Sequence, residues 1–105
     1  MVLVRLSGRL DAVASPDVLA CLKDAVAEGR SRIVVDLSEV SFIDSTGLGT
    51  LVSGLKTARK AGGDLRLVAP TPQARRLLRL TTLDRVFVIA DTLESAWVEG
   101  AGGRR

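Results

Sequence analysis

The chain of 105 residues has no histidine and no tyrosine, one cysteine, and only three aromatic residues, Phe42, Phe87 and Trp97. Without histidine, neither a Ser-His-Asp nor a Cys-His site can be assembled within it. One cysteine and scattered carboxylates give no ligand spacing for zinc or another transition metal, so no catalytic residue, metal or cofactor is expected. So few aromatics cannot build a base-stacking platform. The net charge of +3 is carried by residues spread from Arg5 to Arg85 and beyond. Arg75, Arg76 and Arg79 fall on the polar side of a helix whose apolar side is Ala74-Leu77-Leu78, and they read as a solvated face. Direct nucleic-acid binding is not expected. Long hydrophobic runs are also missing. Arg5 interrupts the N-terminal apolar stretch, which argues against a leader peptide. Ser45 to Leu55 is too short, and too rich in glycine, for the ~20 apolar residues of a membrane span. A soluble protein without membrane insertion is expected, and Cys21, unable to form an internal disulfide, fits the cytoplasm. Cys21 lies beside the stripe Val18-Leu19-Leu22-Ala25-Val26, so a packed thiol is expected there.

What is present is a hydrophobic content of 47%, enough for one domain around a single core. Val2 to Ser7 alternates as a strand ending at Gly8. Ser15-Pro16-Asp17 reads as a helix start with Ser15 as N-cap, the helix running to Glu28 and stopping at Gly29. Ile33-Val34-Val35 is a short apolar run of the kind found in buried central strands. Leu48, Leu51, Val52, Leu55 and Ala58 form the core stripe of a second helix that ends at Gly62-Gly63. Leu65 to Ala69 predicts a strand, Pro72 to Leu80 a helix, Val86 to Ile89 a last strand, and Asp91 or Thr92 caps a final helix with Leu93, Ala96 and Trp97. The order β-α-β-α-β-α-β-α argues an α/β domain over residues 1–99 with a mainly parallel sheet, followed by a flexible Gly/Arg tail at 100–105. Sites in such sheets favour the carboxyl ends of the strands, where Asp11, Asp36, Asp44 and Ser45 are expected to gather.

The densest polar cluster is Asp44-Ser45-Thr46-Gly47, at the junction of a strand and the second helix. Backbone N–H groups lack helical partners there, and the helix dipole tolerates negative charge. In isolation such a tetrapeptide is a helix cap. Two glycine patterns nearby resemble nucleotide loops and depart from them. Gly47-Leu48-Gly49 has Val52 where a dinucleotide fingerprint needs its third glycine. Gly49 to Thr57 resembles a P-loop with Leu55 inserted, which turns Lys56 by about 100° from the required direction. A nucleotide binder or small enzyme using the carboxylates is therefore the minor reading.

Three stretches together resemble the STAS domain family, named for sulphate transporters and anti-sigma factor antagonists. Gly8-Arg9-Leu10-Asp11 followed by Ser15-Pro16 looks like its first crossover, Val35 to Gly49 like its signature block, and Leu77 to Asp84 with Thr92 to Ala96 like its C-terminal part. The resemblance implies a small single-domain α/β fold, with a four- or five-stranded mainly parallel sheet and helices mainly on one side. It also implies, for the freestanding bacterial branch, an anti-sigma factor antagonist that regulates transcription indirectly. Ser45 corresponds to the family's phosphorylated residue, with Thr46 as second choice. Asp11, Asp36, Asp44, Ser45, Thr46, Gly47 and Gly49 are the implied partner-binding positions. The implied partners are an anti-sigma factor that is itself a serine kinase and a phosphatase that resets the switch; the oligomeric state is left open. The alternative within the family is a subunit of a membrane lipid-transport or signalling assembly. Family members usually begin with one more strand, so Val2 to Ser7 is expected at a sheet edge.

Overall fold

The computed structural model describes residues 1–97. Its spine is β2 (Arg32–Ile43), where Ile33, Val34 and Val35 are all fully buried, because a central parallel strand is covered on both faces. β1 (Val2–Leu10) pairs with it on one side, from Val2 opposite Ile33 to Leu10 opposite Ile43. β3 (Asp64–Val68) pairs on the other side, from Asp64 opposite Arg32 to Val68 opposite Asp36. β4 (Ile89–Ala90) pairs with β3, giving an all-parallel sheet of four strands in the order β1-β2-β3-β4. β1 is an edge strand, as expected of Val2 to Ser7, and its pairing is interrupted by two register shifts, between Arg5 and Ser7 and between Gly8 and Arg9. Such irregularities blunt an edge.

Among the described residues, four α-helices connect and cover the strands: α1 (Ser15–Ala27), α2 (Ser45–Lys60), α3 (Pro72–Leu80) and the short α4 (Leu93–Ala96). The first three share the main core with Ile33, Val35, Leu37, Leu65 and Leu67. Leu48, Leu51, Leu55 and Ala58 bury the expected stripe of α2 in it, each leucine contributing about 1.5–3 kcal/mol. α4 packs on the opposite face against Val34 and Val68. There Arg66 is nearly covered, donating to the Asp64 carboxylate and the Ala96 carbonyl, with its guanidinium 3.9 Å from the Trp97 ring centroid. Arg32, at the start of β2, also lies over this ring, at 4.9 Å. Gly29 and Gly62, just past α1 and α2, hold positive φ angles of 86° and 87°, which supply the left-handed turn that stops a helix.

Several local expectations are corrected. β1 continues past Gly8 to Leu10, and β2 runs from Arg32 to Ile43 rather than ending at Val35, because each strand supplies the other's hydrogen-bonding partner well beyond the apolar run. Ser15 is not the cap of α1. The N-cap position is Ala14, without a side-chain bond, and the Ser15 hydroxyl is buried with no partner among the described residues. Capping falls instead to Asp11, whose carboxylate accepts the Val13 and Ala14 N–H groups. The last strand begins at Ile89 rather than Val86. Leu83–Arg85 form a 3₁₀ turn, and Phe87 is drawn into the main core, so the chain is still turning there. Cys21 is exposed rather than packed, since Leu22 is the residue of that turn that faces the core. Ser41 is exposed on β2. Residues 98–105, including the expected tail, lie outside the described residues.

Candidate functional site

β3 stops opposite Asp36, so the last residues of β2 run on beside β1 alone. The two strands end together at Leu10 and Ile43, and the Asp44 N–H donates to the Leu10 carbonyl at 3.3 Å. Asp44 is extended (φ −110°, ψ −175°) and is the N-cap of α2. Its carboxylate accepts the Gly47 N–H at 2.8 Å, and its carbonyl accepts the Leu48 N–H at 2.9 Å. With the cap made by Asp44, the Ser45 hydroxyl is not needed for it. Ser45 and Thr46 occupy the first turn of α2 and are both exposed. The positive end of the helix dipole lies at this turn.

Gly47 brings the turn against β1. A Cβ at this position would sit 2.1 Å from the Leu10 carbonyl oxygen, so a larger residue would push α2 away from the strand end. Gly49 is exposed and faces open space. The Thr50 hydroxyl donates to the Thr46 carbonyl at 3.2 Å, within the same helix. Both nucleotide-like glycine patterns thus lie inside a continuous α-helix, and no open phosphate cradle forms from them.

Asp11 follows directly on Leu10 and lies beside Asp44 at the strand ends. The Ala14 N–H bond, with further help from Arg9 and the Val13 N–H, holds its carboxyl below the ordinary 3.8. The Arg9 Nε is 3.3 Å from the Asp11 carboxylate, and its guanidinium lies 4.5 Å from the Phe42 ring centroid. The turn Asp11–Ala14 is therefore tied down while the apolar side chain of Val13 stands 87% exposed.

Asp36 does not join this group. It lies eight residues before Asp44 along β2, as much as ~26 Å at the usual strand rise. It pairs with Arg5 at 3.6 Å and accepts the Ser38 N–H. Together with Ser7 and Glu39 these residues line an open polar groove of about 420 Å³. The structure thus brings Asp11, Asp44, Ser45, Thr46 and Gly47 together, leaves Gly49 one turn further along α2, and places Asp36 elsewhere.

Gln73 was not legible as a site residue. Its carboxamide donates to the Ile43 carbonyl at 2.8 Å and accepts the Ile43 N–H at 2.9 Å, where β2 has no strand on that side. Leaving those two backbone groups unpaired costs about 1–3 kcal/mol each where water is excluded. The only signal in the sequence is a polar residue in the first turn of α3, after Thr71-Pro72, and nothing there names its partner 30 residues away.

A family model for the STAS domain matches residues 1–96. The anti-sigma F factor antagonist of Paenibacillus polymyxa is 31% identical over 100 residues, which is 94% of this chain and 86% of that protein. Relatives in Thermotoga neapolitana and Thermotoga maritima are 40% and 42% identical over 71% and 69% of this chain, and the matched part spans just under two thirds of their lengths, 66% and 64%. Among solved structures, TM1081 of Thermotoga maritima superposes with a TM-score of 0.81 at 34% identity, over 88% of this chain and 81% of its own. SpoIIAA of Bacillus, solved unphosphorylated and phosphorylated, gives 0.70 in each form at 25% and 26% identity, over 88% of this chain and 80% and 83% of theirs. With the family model matched along nearly all the described residues, and the fold superposing on those structures, the chain belongs to the STAS domain family.

Proposed function

We propose that this protein is an anti-sigma factor antagonist that binds an anti-sigma factor serine kinase and is released from it by phosphorylation at Ser45. The observation that carries the reading is the division of labour at the start of α2. Asp44 makes the cap, and Ser45 is left exposed at the positive end of a long, well-packed helix. The relatives named as antagonists, and a relative solved with and without phosphate, support the same reading.

A phosphoserine adds about −1.5 to −2 charges at neutral pH. The helix dipole offsets about 0.3–1 kcal/mol of the resulting strain, against repulsion from Asp44 and Asp11. The fold therefore survives the modification. In the complex, the same phosphate enters a surface fitted to a neutral hydroxyl, and an unpaired charge desolvated there costs about 3–5 kcal/mol. That is roughly a 10²- to 10³-fold loss of affinity, enough to release the partner. A phosphatase then restores the binding form.

Incubation with the kinase and labelled ATP, followed by mass spectrometry, is expected to place the phosphate on Ser45. Phosphate on Thr46 alone sinks that assignment. Ser45→Ala is expected to bind the kinase persistently. Ser45→Asp is expected to bind weakly with an unchanged circular dichroism spectrum, and equal affinity of the two variants would refute the switch.

A further inference from the structure

On one side of the β2 terminus the Asp44 N–H reaches Leu10 of β1; on the other side β3 has already ended, and a side chain stands in for it. The Gln73 carboxamide presents a donor and an acceptor side by side, as one residue of an antiparallel neighbour would, and uses both on Ile43. Gln73 is itself well held. It lies in the first turn of α3, where the Thr71 hydroxyl accepts the Ala74 N–H, Pro72 leads the helix, and Ala74 and Leu78 are buried. Ile43 is the last residue before the Asp44 cap, so whatever fixes its peptide groups fixes the direction in which Asp44, Ser45 and Thr46 leave the sheet.

We propose that Gln73 is a positioning residue for the Ser45 turn, holding the phosphoacceptor hydroxyl in the one orientation that the kinase uses. The inference rests on the reading of Ser45 as phosphoacceptor. Gln73 acts through Ile43 and contributes no atom to the transfer. Its substitution therefore changes how often the hydroxyl is correctly aimed, while the docking surface of α2 and the Asp11 turn stays in place.

The test uses the full chain carrying Gln73→Met, which keeps length and packing without the polar pair, and Gln73→Glu, which sets a carboxylate oxygen against the Ile43 carbonyl. Amide exchange followed by NMR is expected to show protection at Asp44, Gly47 and Leu48 falling about tenfold in both variants, while Leu65 and Leu67 in β3 keep wild-type protection. With the anti-sigma factor serine kinase and labelled ATP, kcat for phosphorylation of Ser45 is expected to fall about tenfold, with KM within about twofold of wild type. Unchanged protection at Asp44, Gly47 and Leu48, a uniform loss across the sheet, or an effect confined to KM overturns the proposal. If the kinase does not phosphorylate even the wild-type chain, the reading of Ser45 fails. The exchange pattern then still decides whether Gln73 holds the turn.

Discussion

A Cβ on Gly47 would meet the Leu10 carbonyl oxygen at 2.1 Å, whereas one on Gly49 meets nothing within 4 Å. Gly47→Ala is therefore expected to cost about 1–3 kcal/mol, since strand end and helix must separate to admit the methyl. Gly49→Ala removes a flexible residue from a helix interior and is expected to stabilise by about 0.5–1 kcal/mol. Thermal melts of the two variants check both signs, and a Gly49→Ala variant less stable than wild type would show that the fold needs this glycine. The resemblance set both residues side by side as partner-binding positions; only the geometry separates one that the fold requires from one that it does not. Ser45 and Asp44 were legible because a strand-to-helix junction announces itself in the local pattern. Gln73 was not, because its partner is fixed by where β3 happens to stop.

Among elements, the turn between β1 and α1 shows how a local motif misleads at one residue and succeeds at the next. Ser15-Pro16-Asp17 marks the right start of α1, yet the capping group is the Asp11 carboxylate, four residues upstream of Ser15. An aspartate two or three residues before free N–H groups captures them as an Asx turn before the serine can. Because these bonds favour the charged form and lower the Asp11 pKa, their contribution is complete above the ordinary value of 3.8 and fades as pH falls through the depressed one. Asp11→Asn is accordingly expected to be less stable than wild type at neutral pH, with the gap closing as pH falls below the ordinary value of 3.8. Denaturant titrations across that range check it, and a gap independent of pH would assign the effect to lost hydrogen-bond geometry alone. The strand termini were the least legible elements. Apolar patterning marks Ile33 to Val35, but the further course of β2 is made by backbone pairing with β1 and leaves little trace in side-chain character.

For the whole molecule, alternation of strand and helix signals was sufficient to read a mainly parallel sheet, because parallel strands need crossovers, whereas helices mainly on one side were implied only by the family resemblance. The pattern did not disclose that the sheet narrows to two strands before it reaches the Ser45 turn. That narrowing puts the candidate site at the end of β2 remote from its first residue, Arg32, which lies over Trp97. Trp97 is the only tryptophan, and with tyrosine absent it governs the near-ultraviolet emission of the chain. It lies against two guanidinium groups, those of Arg32 and Arg66, on the sheet face opposite α2. The protein thus carries a built-in optical gauge that registers loss of the fold and ignores the charge placed at Ser45. Emission of Ser45→Asp is expected to overlay that of wild type, and to shift only through the unfolding transition. A release from the partner unaccompanied by any change in intrinsic fluorescence would then be the spectroscopic mark of a switch confined to one end of a rigid body.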